Sequence, residues 1–179
     1  MESKKQKRHP KCGLPWMLMA GLYLLSLLAL ANGCQSKQGD TQVKTRLSMT
    51  SYIGAWQRAR PGGAPTYYFP VLEIYNQAGT LIYASHNATA NAKVLKDFPG
   101  SVEKLTPQPG APGLQALISE IPDLEAGWKA AGGKNKLTIL SIALENCKGC
   151  SIQEEALAEL AQQLVKQPSA AVLEINVAP

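Results

Sequence analysis

The strongest constraint on this 179-residue chain is the apolar pattern of its C-terminal part, residues 136–179. Leu137–Leu144 (Leu-Thr-Ile-Leu-Ser-Ile-Ala-Leu) is almost continuously apolar, the pattern of a strand covered on both faces. Further on, Ile152, Ala156, Leu157, Leu160, Ala161, Leu164 and Val165 recur at helical spacing and define one apolar stripe. Pro168 stops that helix, and residues 171–177 are apolar again. Strand, amphipathic helix and strand make one βαβ unit, expected to be right-handed with its two strands parallel. A parallel pair needs helices over its sheet, so the expected class is α/β.

The residues upstream add a second sheet component. Val71, Leu72, Ile74 and Tyr75 form one strand pattern and Leu81, Ile82 and Tyr83 another. Asn76-Gln77-Ala78-Gly79 lies between them as turn chemistry, which predicts an antiparallel hairpin. Pro70 stands at the start of the first strand, where a missing N–H is tolerated. Residues 51–60 place Tyr52, Ile53 and Trp56 on a short helix, broken by Pro61-Gly62-Gly63-Ala64-Pro65. Residues 89–98 suit a helix stopped by Pro99, and the Pro- and Gly-rich residues 99–113 read as a surface loop. Residues 114–131 are helical in composition, with Pro122 splitting or kinking them and Gly132-Gly133 ending them. At 45% hydrophobic, the chain carries enough apolar sequence for one core.

Chemistry concentrates at Cys147-Lys148-Gly149-Cys150, where the strand gives way to the helix. Spacing i, i+3 puts both sulfurs on one side of a first turn, close enough to bond. Backbone N–H groups and the dipole of a helix N-terminus stabilise a thiolate there, and Lys148 acts in the same direction. Glu145 opposes them if its carboxylate lies close. The first cysteine of such a turn points outward, which makes Cys147 the nucleophile and Cys150 the resolving thiol.

Buried strand, Cys-x-x-Cys, amphipathic helix and parallel strand together resemble the thioredoxin superfamily over residues 136–177. The resemblance implies a thioredoxin-like mixed sheet flanked by helices and a redox-active cysteine pair. The family continues after this unit with a helix, a cis-proline strand, a hairpin partner and a last helix, whereas here the chain ends at Pro179. Phe69-Pro70 and the hairpin that follows look like that missing part placed ahead of the motif. The expectation is a permuted arrangement, ββα then βαβ, in which Pro70 is the cis-proline and Phe69 and Pro70 bind substrate. A competing alignment makes the hairpin an N-terminal addition to an incomplete core.

The first 34 residues point to export. Five of the 18 basic residues and one of the 13 acids lie in residues 1–33, leaving 13 basic against 12 acidic side chains beyond them. The formal charge of +5 is thus mainly a property of that segment, and a nucleic-acid role loses its support. Lys4, Lys5, Lys7, Arg8 and Lys11 precede an uncharged apolar run from Leu14 to Ala31, the pattern of an export signal. Leu30-Ala31-Asn32-Gly33-Cys34 resembles the bacterial lipobox. That resemblance implies cleavage before Cys34, a diacylglycerol on its sulfur, and anchoring through two or three acyl chains. The lack of an acidic retention signal at Gln35 leans towards the outer membrane rather than the cell membrane. A retained membrane anchor and a plain secretory signal are the alternatives. The expected organisation is a signal peptide in residues 1–33, a polar tether in residues 34–50 and a thioredoxin-like domain in residues 51–179.

Of four cysteines, Cys12 falls in the signal and Cys34 carries lipid, so Cys147 and Cys150 are left for chemistry. His9 and His86 are the only histidines; a Ser-His-Asp site would have to use His86, and a two-histidine metal helix is impossible. The leading expectation is thiol–disulfide exchange with exported proteins, without cofactor or metal. The alternatives are an envelope lipoprotein with an inert disulfide, and a copper or zinc lipoprotein recruiting His86.

Overall fold

The computed structural model describes residues 41–63 and 68–179. The segments expected to export and anchor the chain, with Cys34, lie outside the described residues. The described elements run β1 (Gln42–Ser48), α1 (Met49–Ala59), β2 (Val71–Tyr75), β3 (Leu81–Ser85), α2 (Ala88–Lys96), α3 (Leu114–Ile118), α4 (Pro122–Ala130), a 3-10 turn (Gly133–Asn135), β4 (Leu137–Leu144), α5 (Ser151–Lys166) and β5 (Ala170–Ala178). The five strands form one mixed sheet in the order β1-β5-β4-β2-β3. β1 and β4 both run parallel to β5, while β2 is antiparallel to β4 and to β3. The protein is therefore α/β, a mixed sheet flanked by helices, with the hairpin and α2 preceding the βαβ unit as expected.

Alternation along the strands explains the two layers. Val71 and Tyr75 of β2, Leu140 and Ile142 of β4, and Leu173, Ile175 and Val177 of β5 face α1, α3 and α4. Leu72, Ile74, Ile139 and Val172 face the opposite way, onto α2 and α5. Pro122 does split the predicted helix: it opens α4, where its fixed φ and missing N–H cost nothing. Gly132, at φ +71°, turns the chain after α4 as only a residue without Cβ does readily.

Two sequence expectations are corrected. The polar tether cannot extend to residue 50, because Gln42–Ser48 is strand β1 and α1 begins at Met49, with Ser48 as its N-cap. β1 lies in register with β5 from Gln42↔Val172 to Ser48↔Ala178. Val43, Thr45 and Leu47 are half-buried and Lys44, Arg46 and Ser48 exposed. An edge strand covered on one face needs little apolar sequence, so its composition resembles a linker. The second correction concerns the helical stripe. α5 buries Gln153, Ala156, Leu157, Leu160 and Leu164, while Ile152 and Val165 are exposed. The buried face is rotated so that a glutamine, not Ile152, meets the sheet.

Candidate functional site

The turn between β4 and α5 is built by backbone hydrogen bonds. Glu145 N–H still donates to Val177 O at 2.9 Å, the last tie to the sheet. Asn146 then takes a left-handed conformation at φ +62°, which asparagine tolerates better than most residues. Cys147 N–H donates to Leu144 O at 3.1 Å and Cys150 N–H to Cys147 O at 3.0 Å. Cys150 is the N-cap residue of α5, and its carbonyl accepts from the N–H groups of Gln153 and Glu154. The two sulfurs are joined as a disulfide, with Cα atoms 5.3 Å apart. Cys147 is half-buried whereas Cys150 is fully buried, so any reagent meets the pair from the Cys147 side.

The electrostatics differ from the expected balance. Arg46 of β1 forms a two-pronged ion pair with Glu145, one arm at 2.7 Å. The hydrogen bond from Arg46, and then its charge, holds the Glu145 carboxyl below the usual carboxylate range. Glu145 is thus compensated, and its opposition to a thiolate at Cys147 is blunted by a strand that sequence composition hides. A shallow depression beside Cys147 is lined by the polar side chains of Asn146, Lys148, Glu154 and Asn176.

The other sequence-predicted residues approach from β2. The register pairs Val71 with Ile142, which brings Pro70, one residue earlier, level with Ala143 at the end of β4 that leads to Cys147. Pro70 is buried and the Phe69–Pro70 peptide is cis. Phe69 is half-buried, its ring 5.8 Å from that of Tyr52 in α1. Tyr68 is exposed, with the His86 ring edge-on at 6.5 Å and His86 Nδ1 3.1 Å from Tyr68 O. His86, weighed as a third metal ligand, is thus engaged with Tyr68. Among the described residues no three His, Cys, Asp or Glu side chains gather to hold a metal ion. No described helix is long and apolar enough to cross a membrane.

Comparison with protein-family models, curated proteins and solved structures finds no match for this chain.

Two polar clusters went unseen in the sequence. On the α1 side, Arg60 reaches both carboxylate oxygens of buried Glu73, at 3.0 and 2.8 Å, and stacks 3.6 Å above the Trp56 ring. Tyr75 O–H donates to the same carboxylate. On the α5 side, Gln153 Nε2 donates to Val71 O at 3.1 Å and to Ser141 Oγ at 2.9 Å, and Asn91 donates to Gln153 Oε1 at 2.6 Å. A lone acid within Val71-Leu72-Glu73-Ile74-Tyr75 was the available signal for the first cluster. The second left no such signal, because hydrophobicity alone puts Ile152, not Gln153, on the core face of α5.

Proposed function

We propose that this chain is a lipid-anchored envelope protein whose permuted thioredoxin-like domain exchanges disulfides through Cys147 and Cys150. The observation that carries the reading is the asymmetry of the pair: an accessible Cys147 bonded to a fully buried Cys150 at a strand-to-helix turn. A ring closed over so few residues gains little chain entropy, which is a weak reason to keep a purely stabilising bridge there. The order of elements supports the permutation. α1, β2, β3 and α2 correspond to the helix, proline strand, hairpin partner and last helix that the family places after its βαβ unit. The hairpin joins the sheet directly beside β4, which favours permutation over an appended hairpin.

The chemistry is a balanced two-electron exchange. A substrate thiolate attacks Cys147 Sγ, the Cys147–Cys150 bond breaks, and Cys150 leaves as a thiolate that takes up a proton. A second substrate thiolate then attacks the substrate sulfur of the mixed disulfide. It releases Cys147 as a thiolate and leaves the substrate oxidised and the protein reduced. Run backwards, with an external dithiol as reductant, the same steps reduce a substrate disulfide. Anchoring rests on Leu30-Ala31-Asn32-Gly33-Cys34 and is tested separately, by a globomycin-sensitive shift in precursor size that Cys34→Ser abolishes.

For the exchange itself, the full-length protein carrying Cys12→Ser and Cys34→Ser is titrated against glutathione and assayed for dithiothreitol-driven insulin reduction. Turnover is expected, lost in Cys147→Ser. Cys150→Ser is expected to accumulate a mixed disulfide at Cys147. A bond that resists reduction across the physiological glutathione range, with no turnover, would mark an inert scaffold. Copper or zinc retained after dialysis and lost in Cys147→Ser would mark a metal protein instead.

A further inference from the structure

We propose that Gln153 is a positioning residue that sets the spacing between the Cys147–Cys150 disulfide and the start of β2, and thereby favours extended peptides over small thiols. The inference rests on the exchange reading above. Gln153 is fully buried on the face of α5 that otherwise presents Ala156, Leu157, Leu160 and Leu164 to the sheet. Burying an amide is costly unless its donors and acceptor are all used, and here they are. Its nitrogen serves Val71 O and Ser141 Oγ, and its oxygen accepts from Asn91. Asn91 is itself fully buried, donates to Ser85 O at 3.3 Å and accepts from Tyr83 O–H at 3.0 Å. Four side chains therefore fasten the first turn of α5 to β2, β3, β4 and α2.

A satisfied buried network contributes only modestly to stability over an apolar core of equal shape. What it adds is direction, since hydrogen bonds fix distance and orientation where a leucine would slide. The backbone and the side chain of this one residue show what is fixed. Gln153 N–H donates to Cys150 O at 3.0 Å, which ties it to the disulfide turn. Its amide holds the carbonyl of Val71, the residue bonded to Pro70. A single residue thus links the carbonyl of Cys150 to that of Val71, next to Pro70. A small thiol needs only the sulfur. An extended peptide pairing with the Phe69–Pro70 backbone, just ahead of β2, while offering a cysteine to Cys147 needs both walls at the right separation, and misplacement by about 1 Å can cost orders of magnitude in rate.

The test compares two rate constants for reduction of the oxidised full-length protein, one with an extended peptide bearing a single cysteine and one with dithiothreitol. Thermal unfolding first establishes that each variant is folded at the assay temperature. Gln153→Met is expected to lower the peptide-to-dithiothreitol ratio by about tenfold or more. Tyr83→Phe, which loosens the same network through Asn91, is expected to lower it by about threefold, and it carries the test if the methionine variant fails to fold. A change confined to thermal stability, with the ratio within about twofold of wild type in every folded variant, overturns the positioning role while leaving the exchange reading intact. A wild-type disulfide inert to both reagents overturns the exchange reading, and the inference with it.

Discussion

Tyr75 illustrates how one residue couples packing to pH. Its ring is fully buried, its O–H donates to the Glu73 carboxylate, and Arg60 lies within 3.2 Å of its oxygen. Burial, and then the negative charge of Glu73, pushes its pKa well above the ordinary phenol value; Tyr52 is shifted upward in the same way. The sign follows from the unfolded state, where both phenols ionise near pH 10. Above that pH the unfolded chain has lost protons that the folded chain retains, so stability present below about pH 10 is lost as pH rises. Well above pH 10, and below its folded pKa, each phenol contributes a limiting slope of about −1.4 kcal/mol per pH unit. Urea unfolding between about pH 9 and pH 11 is expected to give a total fall smaller by about 1.4 kcal/mol for Tyr75→Phe than for wild type. Equal slopes would show that Tyr75 ionises alike in both states. Of this only the lone acid was legible in the sequence: Glu73 and Tyr75 are neighbours on one strand face, but the cation that makes the pair tolerable comes from Arg60, at the end of a different element.

At the scale of elements, close approach matters more than propensity. α4 lies against β1 at Gly127, where an added Cβ would stand 2.4 Å from Val43 Cγ1. Alanine is the better helix former by about 1 kcal/mol, yet here it would drive the helix off the strand. Gly127→Ala is expected to destabilise the protein by about 1–3 kcal/mol, and Val43→Ala in the same chain to recover most of the loss. Denaturant titration of the two single variants and the double checks this, and additive losses would place the cause elsewhere. The elements themselves were largely readable. The hairpin, the split at Pro122, β4, α5 and β5 all follow from periodicity and from proline and glycine placement. Which residue of α5 faces the sheet was not, because a stripe read from hydrophobicity alone selects Ile152, and only the partners on Val71, Ser141 and Asn91 turn Gln153 inward.

For the whole molecule, the decisive fact is that β1 closes the sheet beside β5, its partner near the opposite end of the described chain. It covers the edge of β5, supplies Val43 and Leu47 to the core, and delivers Arg46 to Glu145 beside the disulfide. A chain beginning at Met49 is expected to lose about 3 kcal/mol or more of stability, while one beginning at Thr41 keeps the wild-type thermal midpoint. Equal midpoints for the two chains would mean that β1 is dispensable. The sequence by itself determined the α/β class, the βαβ unit and the position of Cys147 and Cys150 at its turn. It could do so because strand and helix periodicities and the offset of two cysteines are local quantities. Tertiary structure alone decided that a polar stretch is an edge strand, that Arg46 neutralises Glu145, and that Gln153 ties the disulfide turn to the residue after Pro70. Each of these depends on which distant group arrives as partner, and a partner's identity leaves no periodicity in the chain that awaits it.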